Sequence, residues 1–231
     1  MRFRVFTALI LVFSSIGFTA NVIAQSKELR SATDRVNGSA EVLTEIMRTE
    51  DKSIPGDLLA KAKAIVVFPG AIKGGFIIGG QGGKGLAVRR AGNGWSAPAF
   101  MNMAGGSFGL QIGAEKTDYI LLIMNDKGLR ELLEDKFEVG AEGSVAAGPV
   151  GRTAAASTNA TMDAEILTYS RSKGVFAGLS LKGVVISPDQ DINSSIYHKP
   201  ARDILGDPPV PASAAPAQLQ RFSTTVAGYA R

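Results

Sequence analysis

Between residues 26 and 50 apolar or small positions recur at alternating steps of four and three: Leu29, Thr33, Val36, Ala40, Leu43 and Met47. That is the spacing of one helical face. The other face mixes Lys27, Arg30 and Arg35 with Asp34, Glu41, Glu45 and Glu50. A membrane-surface helix favours a cationic polar face, so this one is expected to pack on its own domain, with Asn37-Gly38 as a point of kinking. Ser53 to Lys63 predicts a second, short helix with Pro55 in its first turn and Leu58 and Leu59 inward. Ala64-Ile65-Val66-Val67-Phe68 is a β-branched run that reads as a buried strand stopped by Pro69-Gly70.

From Ile72 to Gly113 glycine is dense and helix signals vanish. Short antiparallel strands are expected at Gly74–Gly80, Gly85–Arg90, Trp95–Met101 and Ser107–Ala114, with Gly92-Asn93-Gly94 as a hairpin turn. Thr117–Met124 is a further, central strand, and Asn125-Asp126 caps a helix running to Glu134. Phe137 to Ala156 returns to small residues, and Asp189–Tyr197 and Ala201–Leu205 predict short terminal helices. The fold class is α+β: a glycine-rich, twisted antiparallel sheet or barrel flanked by several helices.

The densest chemistry lies in Tyr169-Ser170-Arg171-Ser172-Lys173-Gly174-Val175-Phe176-Ala177-Gly178-Leu179-Ser180-Leu181-Lys182-Gly183. It reads as strand, closed by Val184-Val185-Ile186. Arg171 and Lys173 share a parity and so a face. Two cations side by side need an anion or flanking acids, and no acid lies between Glu165 and Asp189.

The ends of the chain change the charge picture. Arg2 and Arg4, an apolar run from Val5 to Phe18 and the small-residue site Val22-Ile23-Ala24 predict a cleaved signal peptide over residues 1–24. The product is then exported, periplasmic or secreted, and peripheral if it meets a membrane. With no cysteine in the chain, a cysteine-anchored lipoprotein, thiolate metal sites and disulfides are all excluded. The formal charge of +4, less the two leader arginines, becomes +2, too small for a global polyanion field. Nucleic acid is not an expected partner. Residues 25–206 are expected to form one domain, and 207–231, rich in Pro and Ala, a disordered tail.

Individual motifs carry little chemistry. Gly80-Gln81-Gly82-Gly83-Lys84-Gly85 matches a dinucleotide pattern in form, but an alternating Leu86-Ala87-Val88 follows where a helix must stand. Gly105-Gly106-Ser107-Phe108-Gly109 matches the hydrolase elbow, yet Leu110-Gln111-Ile112 continues as strand. One histidine, His198, leaves no metal site, and no cofactor is expected. Trp95 reads first as half-buried core. Lys73, Arg152, Arg171, Lys173 and Lys182 are singly surface charges, but beside glycine-rich backbone they make a candidate anion pocket.

In order, Val67-Phe68-Pro69, Lys73-Gly74-Gly75-Phe76, Gly94-Trp95-Ser96-Ala97-Pro98, Gly106 to Gly113, Gly148-Pro149-Val150-Gly151-Arg152 and Tyr169 to Leu181 resemble the SYLF-domain family. This is also described as a yeast-type actin-patch, lipid-binding domain. The resemblance covers about residues 30–200 and includes exported bacterial members. It implies a non-enzymatic domain that binds acidic membrane lipids, phosphoinositides in eukaryotic members, and actin filaments in some.

Two readings follow. In the first, Lys73, Arg152, Arg171, Lys173 and Lys182 surround the phosphate of an anionic phospholipid surface, and Phe76, Trp95 or Phe176 takes the apolar part. In the alternative, the domain is a structural, envelope-assembly or protein-interaction module. Arg171 then pairs with a buried acid such as Asp118, and the motifs serve packing. A hydrolase using Ser107 ranks below both.

Overall fold

The computed structural model describes the backbone of residues 3–49, 53–92, 94–141, 144–151, 164–172, 174–179, 181 and 183–230, and the side chains in those ranges outside 3–24, 75–78 and 107–114. A single helix, α1 (Phe3–Arg48), runs through the expected kink without a break. Gly38 serves contact rather than bending: a Cβ there would lie 3.3 Å from the Pro69 ring, so its absence lets that ring seat on the helix. Val36, Ala40 and Leu43 are buried as their spacing predicts. Ala32, Arg35, Ser39, Val42 and Ile46 are buried too, which corrects the placement of Arg35 on a solvated face. The stripe is wider because α1 is covered both by the sheet and by helices from the end of the chain. Among the described residues no helix is long and apolar enough to cross a membrane.

Helix α2 (Gly56–Lys61) follows, with Pro55 at its N-cap. The expected short strands then merge into two long ones, β1 (Ala64–Ala91) and β3 (Ala99–Ile123), which pair along their length as an antiparallel ribbon. Between them, β2 (Gly94–Trp95) pairs with Arg90 and Ala91, turning on Gly92 at φ +53°. Pro69-Gly70 does not end the strand. Phe68 faces Tyr119 and Ala71 faces Thr117, so two residues oppose Asp118 alone. This is a bulge, a site where proline's missing N–H costs no ladder bond.

Such strands cannot stay straight and also bury both faces, and the ribbon folds over on itself. A Cβ on Gly85 would stand 2.1 Å from the Val67 carbonyl oxygen, and one on Gly83 would stand 2.8 Å from Ala71 Cβ. Arg90 N–H donates to Lys63 O at 2.8 Å and Tyr119 Oη to Gln81 Oε1 at 3.1 Å, tying the two halves together. The glycine density of this region thus reflects backbone-on-backbone packing. The interior is filled by Ile65, Val67, Phe68, Leu86, Phe100 and Ile120, all at most 1 % exposed.

After α3 (Asp126–Leu132), capped by Asn125 onto Gly128 N–H at 2.9 Å, come β4 (Phe137–Val139) and β5 (Val145–Ala147). The stretch read as one strand is instead a hairpin, β6 (Ile166–Ser172) and β7 (Val175–Gly178), with Gly174 at φ +78°. It is followed by a separate β8 (Val184–Pro188). Strand order is β2-β1-β3-β6-β5, with β7 on β6 and β8 bridging β3 and β4, so the sheet is barrel-like and nearly closed. The α+β expectation holds.

Helices α4 (Gln190–Tyr197) and α5 (Ala201–Ile204) lead into the segment expected to be disordered. It is ordered. Two 3-10 turns, Ala212–Ala214 and Ala217–Leu219, precede α6 (Arg221–Tyr229), whose Phe222 and Val226, like Leu219, are fully buried. Ala97 N–H donates to Val210 O and Ser223 Oγ to Ser96 O, both at 2.7 Å. The tail is poor in large apolar residues, but the few it has fall where α1 and β2 leave a gap.

Candidate functional site

The β1 bulge organises the site. By opposing two residues to Asp118, it aims the Gly70 N–H at that carboxylate, which accepts through Oδ1 at 2.7 Å. Gly70 sits at φ +58°, where a side chain would be strained. Register places Arg171 of β6 directly across from Asp118, and Phe176 of β7 across from Arg171. Arg171 Nε and Nη2 both reach Asp118 Oδ2, at 2.8 and 2.7 Å, and Nη1 pairs with Glu45 of α1. Burial lowers the guanidinium's pKa, but the hydrogen bonds and charges of Glu45 and Asp118 outweigh it, so the net direction is upward. Arg171 is therefore a clamp joining helix, bulge and hairpin. Beside it, the Ser172 hydroxyl bonds Glu115.

Phe176 stacks on Tyr169, ring centroids 5.5 Å apart and 9° from parallel. Both are buried. Gly148 lies against the Tyr169 ring so closely that a Cβ would be 2.0 Å from it. Trp95, 5 % exposed, is not part of this cluster. It lies under Arg90 at 4.5 Å, and Arg90 donates to the Ala62 and Leu59 carbonyls at 3.1 and 3.0 Å, locking α2 over the ring. Burial lowers the Arg90 pKa.

Of the eight residues predicted to form the pocket, the structure thus brings Arg171 and Phe176 together. It leaves Lys73 half-buried on β1 opposite Glu115 and puts Trp95 in the core elsewhere. Arg152, Lys173, Lys182 and the Phe76 side chain lie outside the described residues. Ser107 continues in β3 opposite Gly79, and Gly80 to Gly85 stay within β1, so neither the elbow nor the phosphate-loop context exists. Among the described residues no cluster of side chains suits a metal ion. Glu45 is the partner that sequence missed. It lies on a helix far away in the chain, and its only signal was its place on the same helix as the buried stripe.

A second polar feature lies nearby. A groove of about 980 Å³ runs between α1 and the ribbon. Arg35, on its wall, is 6 % exposed and donates through Nη2 to Asp189 Oδ2 at 2.7 Å. Its Nε and Nη1 are buried with no hydrogen-bond partner among the described residues.

The fold and site define a nearly closed barrel with a long helix clamped to it by arginines. Residues 104–228 match the family described as Las17-binding protein actin regulator, Ysc84. The chain belongs to that family, which is one of actin regulators and not of enzymes. It is 36 % identical over 169 residues to the human SH3 domain-containing YSC84-like protein 1, a match covering 71 % of this chain and 49 % of that protein. It is 34 % identical over 177 residues to LAS seventeen-binding protein 3 of Saccharomyces cerevisiae, covering 73 % and 38 %. It is 33 % identical over 177 residues to Protein YSC84 of the same yeast. The chain thus spans half or less of the length of these relatives.

Proposed function

We propose that this chain is a non-enzymatic docking module whose helix and barrel form one rigid body for a protein partner. The observation that carries this reading is the saturation of Arg171. With Asp118 and Glu45 on three of its nitrogens, it has little left to offer an incoming phosphate. The central motif then serves architecture, and recognition falls to the surface around it. Family membership supports the same direction, because yeast relatives carry Las17 binding in their names. Thermal melting of Arg171→Ala tests it. A clear loss of stability is expected, and an unchanged melting temperature would remove the basis of the proposal.

One observation favours a second reading, binding of acidic phospholipid headgroups. Ile72 and Val175, 55 % and 63 % exposed, lie near the same end of the sheet, where β1 pairs Ile72 with Lys116 and β6 pairs Ser172 with Val175. Exposed apolar residues beside Lys73 and Lys116 suit an anionic bilayer, such as an exported, periplasmic chain would meet. Co-sedimentation with anionic and neutral vesicles at low and high salt separates the readings. Salt-sensitive binding to anionic vesicles alone, lost in Ile72→Glu, supports the second.

A further inference from the structure

The groove beside Arg35 is built unlike the Arg171 cluster. One wall is a single face of α1, from Lys27 through Arg30 and Asp34 to Gly38, and the other is formed by the β1 bulge and the paired strands at Lys84 and Asn102. Four cations line it, Lys27, Arg30, Arg35 and Lys84, against one acid, Asp34. No ion pair or hydrogen bond among the described residues engages the side chains of Lys27, Arg30 or Lys84. Like charges gathered this way repel unless an anion joins them. Between them the surface is apolar, with Pro69, Met103 and Ile72, the last more than half exposed.

Arg35 is the second, independent sign. A guanidinium offers five N–H donors, and leaving buried donors unpaired costs about 1–3 kcal/mol. With Nη2 on Asp189, the free nitrogens Nε and Nη1 lie on different edges of the guanidinium, so each can meet a single carboxylate oxygen and they cannot share one carboxylate.

We infer that this groove is a docking site for an acidic segment of a protein partner, one in which carboxylates alternate with apolar side chains. The inference rests on the docking reading above and supplies its missing partner chemistry. Length favours a peptide over a small anion. At about 1.5 Å per residue, the helix wall from Lys27 to Gly38 is about 16 Å long, room for about five residues of extended chain. Charge complementarity sets the pattern: carboxylates meet Lys27, Arg30, Lys84 and Arg35, and the apolar side chains between them cover Pro69, Ile72 and Met103. Such binding is steered by charge and weakens with salt.

The test uses the full chain and a fluorescein-labelled twelve-residue peptide alternating Glu with Leu, followed by fluorescence anisotropy at low and high salt. A Lys-for-Glu version of the peptide is the control. The expected result is salt-sensitive binding of the acidic peptide alone, weakened about tenfold or more by Arg30→Glu with Lys84→Glu. Both positions are exposed, so the double variant folds, as an unchanged melting curve will verify. The exposed change Arg130→Glu, on α3 beyond the far end of β3, should leave binding as it was. No binding of the acidic peptide overturns the inference, as does equal binding by the double variant or an equal loss in Arg130→Glu. Binding of anionic vesicles that the double variant abolishes, without peptide binding, also overturns it and hands the groove to the membrane. In each of these cases a destabilised Arg171→Ala would leave the docking reading standing.

Discussion

Two of the arginines that fix α1 to the rest of the protein are satisfied to different degrees. Arg171 reaches the helix from the sheet and places three nitrogens on Asp118 and Glu45. Arg35 reaches out from the helix, places one nitrogen on Asp189, and keeps two buried nitrogens without a hydrogen-bond partner among the described residues. Both are ion pairs in a half-dry environment, so charge alone does not separate them. What separates them is the number of filled donor positions and the sign of the neighbours. Arg171 has acids around it, whereas Arg35 shares its groove with three more cations. A filled arginine holds structure together, and a partly filled one among like charges has capacity for recognition.

The contrast can be broken at several points. The largest effect is expected from Arg35→Ala, which strands Asp189, the N-cap of α4, at 12 % exposure. A loss of about 3 kcal/mol in urea denaturation is expected, because removing one member of a buried pair leaves the other uncompensated. Arg171→Ala should cost less, about 2 kcal/mol, since its side chain is 22 % exposed and Glu45 58 %. Arg171→Lys should recover about half of that loss, because a point charge cannot fork between two carboxylates. Glu45→Gln removes only the exposed arm and should stay below about 1 kcal/mol in the same denaturation.

The smallest effect is the most discriminating. The Tyr169 hydroxyl is also buried and unpartnered among the described residues, yet it sits beneath Gly148 rather than in a groove. An unfilled donor with no approach for a ligand is only a cost, so Tyr169→Phe should be neutral or stabilising by up to about 1 kcal/mol. Burial raises the Tyr169 phenol above its ordinary 10.0. With the folded-state value raised, its contribution is complete below the unfolded value and fades as pH climbs past it. Melting temperature should therefore fall less steeply in Tyr169→Phe than in the parent between about pH 10 and 12.

Much of this was legible in the chain. Alternation and glycine density gave an α+β sheet, the ordered motifs gave the family, and Arg171 was matched to Asp118 as one of two alternatives. Strand length was not legible, because Pro69-Gly70 looks the same whether it ends a strand or bulges one. Nor was the fold-over, since Gly83 and Gly85 carry no sign of the backbone they touch. The tail from 207 was misread because its apolar residues are few, and that error hid the second cover over α1. Arg35 is buried against Asp189 and the Phe100 ring instead, a meeting of distant segments. Glu45 and Arg171 meet through tertiary structure, which no local period reports.

The long β1–β3 ribbon also sets the order of folding events. The turn at Gly92 joins neighbours, and pairing can advance from there residue by residue, but Ala64 meets Ile123 only when the zipper reaches its far end. Contacts of such separation are slow to form because the loop must close before they stabilise it. A later piece is α6, whose Ser223 hydroxyl donates to the Ser96 carbonyl beside that same turn. The place where pairing starts is thus sealed by residues synthesised well after it, and the turn stays uncovered until α6 has emerged.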